Sequence, residues 1–376
     1  MTRQQSAKVR AVVFEDVARG PVVETIELAG PGPNEVEVAI VAAGVCGTDL
    51  HVAVGDWDIP TPVVLGHEGA GIVTAVGEAV TGVVPGDHVI LTWMPRCGNC
   101  RHCQVGRPWQ CLQVVEVIET QGVLFDGTSR WSSNGAPVHH FSGVSSFAER
   151  VVVPESGAVK IRSDAPLDSV VIIGCGVATG VGAVRNTAGV PEGATVAVIG
   201  CGGVGLSCIQ GARLVKADRV IAVDVNPDKL AVARRLGATD TINAQTADPV
   251  AEIREITSGG VDFAFDAIGK TVTTEQAVAA LGIGGTAVIV GLPPEGTTAR
   301  FDPLALSEAS RRILGSHYGS IDPHRDIPEL VDLYMAGQLD LDSLISNRRP
   351  LEEAREALDD LKAGRALRTL LINTNH

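Results

Sequence analysis

Up to about residue 155 the apolar positions fall in short Val-rich runs, EVEVAIVAAG and GAGIVTAVG among them, broken by Gly, Pro and Asp. That rhythm predicts strands and turns with little helix. From Thr195 short apolar runs, TVAVIG, RVIAVD, VDFAFDAIG and GTAVIVGL, are separated by helix-like stretches such as PDKLAVARRLGA. Alternating strand and helix implies a parallel, doubly wound sheet. After about residue 317, IPELVDLYMAGQL and LEEAREALDDLKAG read as helices and ALRTLLIN as a closing strand that returns to the first domain. The expectation is an α/β protein: a β-rich domain over 1–177, a doubly wound domain over 178–316, and 317–376 rejoining the first. No low-complexity segment or solenoid-period repeat interrupts this plan.

Composition narrows the function more than the fold. With 376 residues, 45% apolar and 3% aromatic, the chain is long enough for two cores of ordinary size. A net charge of −14 repels phosphate backbones and anionic membrane surfaces, so neither nucleic acid nor membrane is an expected partner. The start, MTRQQSAKVRAVVF, lacks a signal-peptide pattern, and a cytoplasmic location is expected. One apolar uncharged run, SVVIIGCGVATGVGAV, is too short for a bilayer span and carries four glycines, so it reads as buried backbone. In that setting the eight cysteines stay reduced, and clustered ones are better metal thiolates than disulfides.

Four cysteines do cluster. Cys97, Cys100, Cys103 and Cys111 follow the spacing C-x2-C-x2-C-x7-C, with Gly98 and Gly106 free to wrap the backbone round one ion. Four thiolates close a tetrahedron, leave no vacancy for substrate, and point to a structural zinc. Free thiols or an iron–sulfur cluster are the alternatives. Of the remaining cysteines, Cys46 lies in GVCGTDLH beside Thr48, Asp49 and His51; VLGHEGAGIVTAVG supplies His67 and Glu68; Cys175 lies in VIIGCGVATG. Two thiolates, an imidazole and a vacancy make an open, catalytic zinc site. Spacing alone does not join residues so far apart, and a lone buried cysteine more often packs as a small hydrophobe.

TVAVIGCGGVGLS begins as a strand and places Gly200, Gly202 and Gly205 in G-x-G-x-x-G register, with Gly203 and Val204 between them. Asp224 closes the next strand, nineteen residues after Gly205, where a carboxylate meets the adenosine ribose. The carboxylate would repel a 2′-phosphate, which favours NAD over NADP. Cys201 and Cys208 read as packing residues of the nucleotide helix, and His139 and His140 as structural or solvent-facing.

GHEGAGIVTAVGEAV matches the zinc alcohol dehydrogenase signature G-H-E-x2-G-x5-G-x2-V at each specified position. The order of Cys46, GHE, the four-cysteine lobe, GCG and the dinucleotide fingerprint resembles the medium-chain zinc-dependent alcohol dehydrogenases over nearly the whole chain. LFDGTSRWSSNGAPVHHFSGVSSFAERVVVPE is most similar to the long-lobed class I and class III members. The resemblance implies a GroES-like catalytic domain joined to a Rossmann domain, two zincs per subunit and NAD. Cys46, His67 and Cys175 would hold the catalytic zinc, with Glu68 nearby and Asp49 behind His67. Lys229 would lie near the ribose, Val204 and Thr179 near the nicotinamide, and Arg368 near the pyrophosphate. Thr48 and His51 would relay the proton as a primary alcohol loses hydride through its alkoxide. Trp57, Trp93 and Leu292 would surround the substrate chain, and a homodimer or homotetramer is expected.

Two positions depart from relatives. Gly47 stands where many carry a basic residue for the pyrophosphate. Thiol-dependent formaldehyde oxidation is the narrower alternative, and Val115, standing where class III enzymes carry an arginine for the thiol substrate's carboxylate, argues against glutathione. A zinc-stabilised dinucleotide binder without turnover is the other; an open metal site and a proton relay argue against it.

Overall fold

The computed structural model describes residues 6–373, which divide into two compact units: residues up to 175 with 322 onward, and 176–321. In the first unit β1 (Ala7–Phe14), β2 (Val22–Leu28) and β3 (Glu35–Val45) lead into helix α1 (Gly47–Val54). Then come β4 (Val63–Val64), β5 (Glu68–Val76), β6 (His88–Leu91), β7 (Trp131–Ser133), β8 (Ala136–His140), β9 (Arg150–Pro154) and β10 (Ala158–Lys160). Strands β1, β2, β7, β8 and β4 close a barrel.

Strand β3 is the centre of the second sheet, pairing with both β5 and β9, and nine of its eleven residues are buried. That burial is why EVEVAIVAAG reads as an almost unbroken apolar run and not as an in–out alternation. The four-cysteine stretch lies between β6 and β7 and has only two short helical turns, Arg101–Gln104 and the 3-10 turn Pro108–Gln110, as regular structure.

The second unit begins with helix α2 (Gly176–Gly182) and alternates β11 (Thr195–Ile199), α3 (Gly203–Leu214), β12 (Arg219–Asp224), α4 (Pro227–Leu236), β13 (Asp240–Asn243), α5 (Pro249–Thr257), β14 (Val261–Asp266), α6 (Thr271–Ala279), β15 (Leu281–Ile289) and β16 (Arg312–Gly315). The six strands are parallel throughout, in the order β13-β12-β11-β14-β15-β16. This is the doubly wound Rossmann arrangement, with the order reversing at β11. Strands β13 and β16 are four residues each and carry no long apolar run, so their place in the sheet is not visible in the hydropathy pattern.

The chain then re-enters the first unit with α7 (Pro323–Met335), β17 (Ile345–Pro350), α8 (Ala354–Lys362) and β18 (Arg368–Ile372). Helix α7 buries Ile327, Leu330 and Val331, the i, i+3, i+4 stripe of a surface helix. Strand β18 pairs antiparallel with β3. The re-entry falls at Asp322, five residues beyond the expected 316/317 break. Ser316 and Ser320 stay with the second unit through Thr187, whose hydroxyl lies 2.9 and 2.8 Å from theirs.

The uncharged run is buried backbone: Val170–Gly174 packs inside the first unit and Gly176–Val184 inside the second. Among the described residues no single helix is long and apolar enough to cross a membrane.

Candidate functional site

The lobe brings the sulfur atoms of Cys97, Cys100, Cys103 and Cys111 within 4.8 Å of one another. Backbone amides point into the group, Cys97 N–H to Cys111 Sγ at 3.4 Å and Cys100 N–H to Cys97 Sγ at 3.3 Å. Gly98 and Gly106 adopt φ of +76° and +75° in open space, so it is the left-handed backbone that calls for glycine here. Burial pushes the Cys103 thiol up to about 12. At Cys100 burial is outweighed by hydrogen bonds from backbone amides, which lower its thiol to about 6, and four convergent sulfurs suit a tetrahedral cation.

The second cluster is built by strand register. Gly44 of β3 faces Glu68 of β5, and Val45 faces Thr369 of β18, so the ends of three strands converge. Cys46 follows β3 directly, His67 precedes β5, and Arg368 opens β18. The ligand atoms of Cys46, His67, Glu68 and Cys175 lie within 4.8 Å of one another and all four residues are buried. Two glycines make the approach possible. A Cβ on Gly44 would sit 2.1 Å from Glu68 Oε2, and one on Gly66 (φ +93°) would sit 2.4 Å from the Phe147 amide nitrogen.

Asp49 organises the cluster from behind. Its Oδ2 accepts the Cys46 N–H at 3.0 Å, and its Oδ1 lies 3.1 Å from His67 Nδ1. A carboxylate accepts, so Nδ1 carries the proton and the Nε2 lone pair faces the sulfurs. That Nε2 is buried with no hydrogen-bond partner, and Phe141 holds the ring edge-on at 5.8 Å. An orphaned imidazole nitrogen beside two thiols fits a metal ligand and little else.

Arg368 donates from Nη1 to Glu68 Oε1 at 3.0 Å and to the Val45 carbonyl at 3.3 Å, while Glu68 Oε2 is buried without a partner. Burial, only partly offset by Arg368, raises the Glu68 carboxyl to about 7. Hydrogen bonding between the two thiols lowers Cys46 and raises Cys175, which places the first thiolate on Cys46.

Thr48 occupies the second position of α1, and Gly47 before it is exposed with nothing within 4 Å of an added Cβ. His51 Nδ1 lies 2.7 Å from Asp56 Oδ2 and its ring stacks on Trp57 at 4.8 Å and 21°. Asp56 was not among the expected site residues. Its signal is the glycine at 55: the left-handed C-cap (φ +80°) turns the chain so that the next residue meets the helix's last turn.

Trp57 and Trp93 are half-buried against the core of the first unit, whereas Leu292 belongs to the second unit and is half exposed. Val115 is exposed on the lobe. His139 Nδ1 meets the Gln121 carbonyl at 3.1 Å, and the buried His140 accepts the Arg130 N–H through Nε2 at 3.1 Å.

In the second unit Gly200 has φ +99°, and a Cβ on Gly205 would lie 1.7 Å from the Gly200 carbonyl oxygen, so strand and helix meet here only through glycine. Gly202, the N-cap of α3, has nothing within 4 Å of an added Cβ and no side-chain cap. A helix start with open amides and room beside them suits a pyrophosphate. Asp224 is held by two backbone amides, Cys201 N–H to Oδ2 at 2.7 Å and Asn226 N–H to Oδ1 at 2.9 Å.

Lys229 is part-buried on α4. Thr179 is buried on α2, which packs on α3 so closely that a Cβ on Gly180 would sit 2.4 Å from the Val204 carbonyl oxygen. Burial pushes the Cys208 thiol up to about 12 and raises Cys201 further, leaving both unreactive at neutral pH.

A Rossmann unit, a GroES-like unit and two thiol-rich clusters define a zinc-binding dehydrogenase. Residues 32–163 match the family model described as alcohol dehydrogenase GroES-like domain, and residues 203–336 match that described as zinc-binding dehydrogenase. The chain is similar to an alcohol dehydrogenase zinc-binding domain protein from Burkholderia ambifaria (39% identity, 98% of this chain and 99% of that one, TM-score 0.94). It is also similar to benzyl alcohol dehydrogenase from Acinetobacter calcoaceticus (37% identity, 97% and 99%, TM-score 0.93). A zinc-binding dehydrogenase from Sinorhizobium meliloti 1021, bound to NADP, shares 30% identity over 98% of this chain and 100% of that one (TM-score 0.81). The chain belongs to the medium-chain zinc-dependent alcohol dehydrogenase family.

Proposed function

We propose that the protein is an NAD-dependent alcohol dehydrogenase that oxidises a primary alcohol reversibly to the aldehyde, with benzyl alcohol the first substrate to test. The observation that carries this reading is the buried, unpartnered His67 Nε2 beside Cys46 and Cys175. These three residues would hold a catalytic zinc, and the lobe cysteines a structural one. A bound zinc supplies Lewis-acid polarisation of the substrate hydroxyl, and NAD supplies the hydride acceptor.

The chain's own residues do the rest. Asp49 fixes His67 in the tautomer that presents Nε2. Thr48 accepts the hydroxyl proton, and His51 passes it towards solvent. The Asp56 bond and the Trp57 stack hold the His51 ring in one orientation. Asp224, pinned by two amides, accepts from the ribose hydroxyls and repels a 2′-phosphate. The Acinetobacter benzyl alcohol dehydrogenase supports an aromatic primary alcohol as substrate.

The test is NADH formation with a panel of alcohols alongside metal analysis. Benzyl alcohol should be oxidised with NAD in preference to NADP, and Asp224→Ala should narrow or invert that preference. Equal use of both coenzymes by the unaltered enzyme would remove the assignment of Asp224, and no turnover with any alcohol would remove the reading itself.

A further inference from the structure

Helices α5 and α6 and the segment from Arg300 to Arg311 enclose a cleft of about 400 Å³ in the second unit, away from the glycine fingerprint and Asp224. Three guanidinium groups line it: Arg254, Arg300 and Arg311. Arg254 donates through Nε (3.2 Å) and Nη2 (2.8 Å) to the Ala279 carbonyl, and Arg311 through Nε (3.3 Å) to the Gly282 carbonyl. These bonds to uncharged acceptors fix the two planes and neutralise neither. Among the described residues no ion pair joins any of the three to a carboxylate, although the chain carries 44 acidic residues against 30 basic ones.

The two carboxyl groups on the cleft wall are turned to backbone amides. Glu275 Oε1 accepts from Arg300 N–H and Asp302 Oδ1 from Leu304 N–H, both at 2.9 Å. Burial and the neighbouring Arg254 charge lower the Arg311 guanidinium from its ordinary value, as expected of a cation near a like charge. The rest of the wall is largely apolar. Val250, Val278 and Leu306 contribute, with Phe301 half exposed.

We propose that this cleft binds a small organic anion, a phosphate or carboxylate carried on an apolar body, with Arg254, Arg300 and Arg311 around the anion and Phe301 against the body. The volume is within the range of small-molecule pockets, and preset guanidinium planes are the usual receptors for such groups. A ligand here would touch α5 and α6 of the nucleotide-binding unit and none of the residues assigned to catalysis.

The test is calorimetric titration of the zinc-loaded, NAD-saturated enzyme with phenyl phosphate, benzoate and inorganic phosphate. Saturation with NAD keeps the probes out of the nucleotide site. Phenyl phosphate or benzoate should bind, the tighter of the two naming the anion. Arg254→Gln and Arg311→Gln should each weaken it on the order of tenfold. Phe301→Ala should weaken the aromatic anions and leave inorganic phosphate unchanged. Should either glutamine variant fail to fold, Arg300→Gln decides, because no bond of the fold depends on that side chain. Binding that survives all three arginine changes, or no heat from any probe at millimolar concentration, overturns the proposal.

Discussion

The two candidate metal clusters use the same chemistry in opposite settings. The lobe cysteines come from fifteen consecutive residues, are mostly half-buried, and take their added hydrogen bonds from neighbouring backbone amides. The second cluster draws Cys46, His67 and Cys175 from three separate segments, and a fourth brings Arg368; all are buried, and Asp49, Glu68 and Arg368 add charge. A closed four-sulfur set needs only a short loop to hold its shape. An open set must be kept from collapsing by groups that do not bind the ion, and such groups are costly to bury unless each has its partner.

The sharpest way to break the comparison is to remove one sulfur from each cluster. Cys46→Ala should lower turnover by at least about a thousandfold while the protein stays folded. Cys103→Ala should instead cost on the order of several kcal/mol of stability. Metal analysis with thermal unfolding separates them: each variant should lose one of two zincs, and a folded, active enzyme holding a single zinc would contradict the pairing of sites to roles.

Next is the counter-charge. Arg368→Met leaves the buried Glu68 with no cation, which should destabilise the protein by about 3–5 kcal/mol. Adding Glu68→Gln should restore much of that loss in urea unfolding. No restoration would mean that Arg368 acts through packing.

A third contrast lies in acid sensitivity near the lobe. Burial lowers His140 from the ordinary 6.5 to about 3 in the folded state, so the unfolded chain takes up a proton that the folded chain refuses. The stability associated with neutral His140 is present above pH 6.5 and is lost as pH falls towards 3. By pH 4 the loss should be about 3 kcal/mol, and His140→Phe should flatten that part of the stability profile. An unchanged slope would mean that His140 is not the source of that acid sensitivity.

The smallest effect concerns selectivity. Trp93→Ala should favour branched alcohols over slender primary ones by about tenfold to a hundredfold in kcat/KM. Equal losses for every alcohol would mean that Trp93 supports the fold of the first unit and does not shape the pocket.

Legibility followed the same division. The lobe spacing and the glycine fingerprint could be read directly because each is built from neighbours in sequence. The dispersed cluster could not be assembled from spacing; it took a family resemblance, and in the fold it rests on the registers of β5 and β18 against β3. Asp56 escaped notice because its contact with His51 depends on the turn at Gly55. The arginine cleft was invisible for a similar reason, its three guanidinium groups coming from helix α5, a loop and the approach to β16.

By itself the sequence determined the strand–helix alternation of the second unit, the β-rich character of the first and the grouping of the four lobe cysteines. Hydropathy period and short-range spacing are properties of contiguous chain. Only the tertiary structure decided which carboxylate backs His67, that Arg368 faces Glu68, and that the chain re-enters the first unit at Asp322. Those outcomes depend on strand register and on which buried charges find a partner, and both are settled only when distant segments pack together.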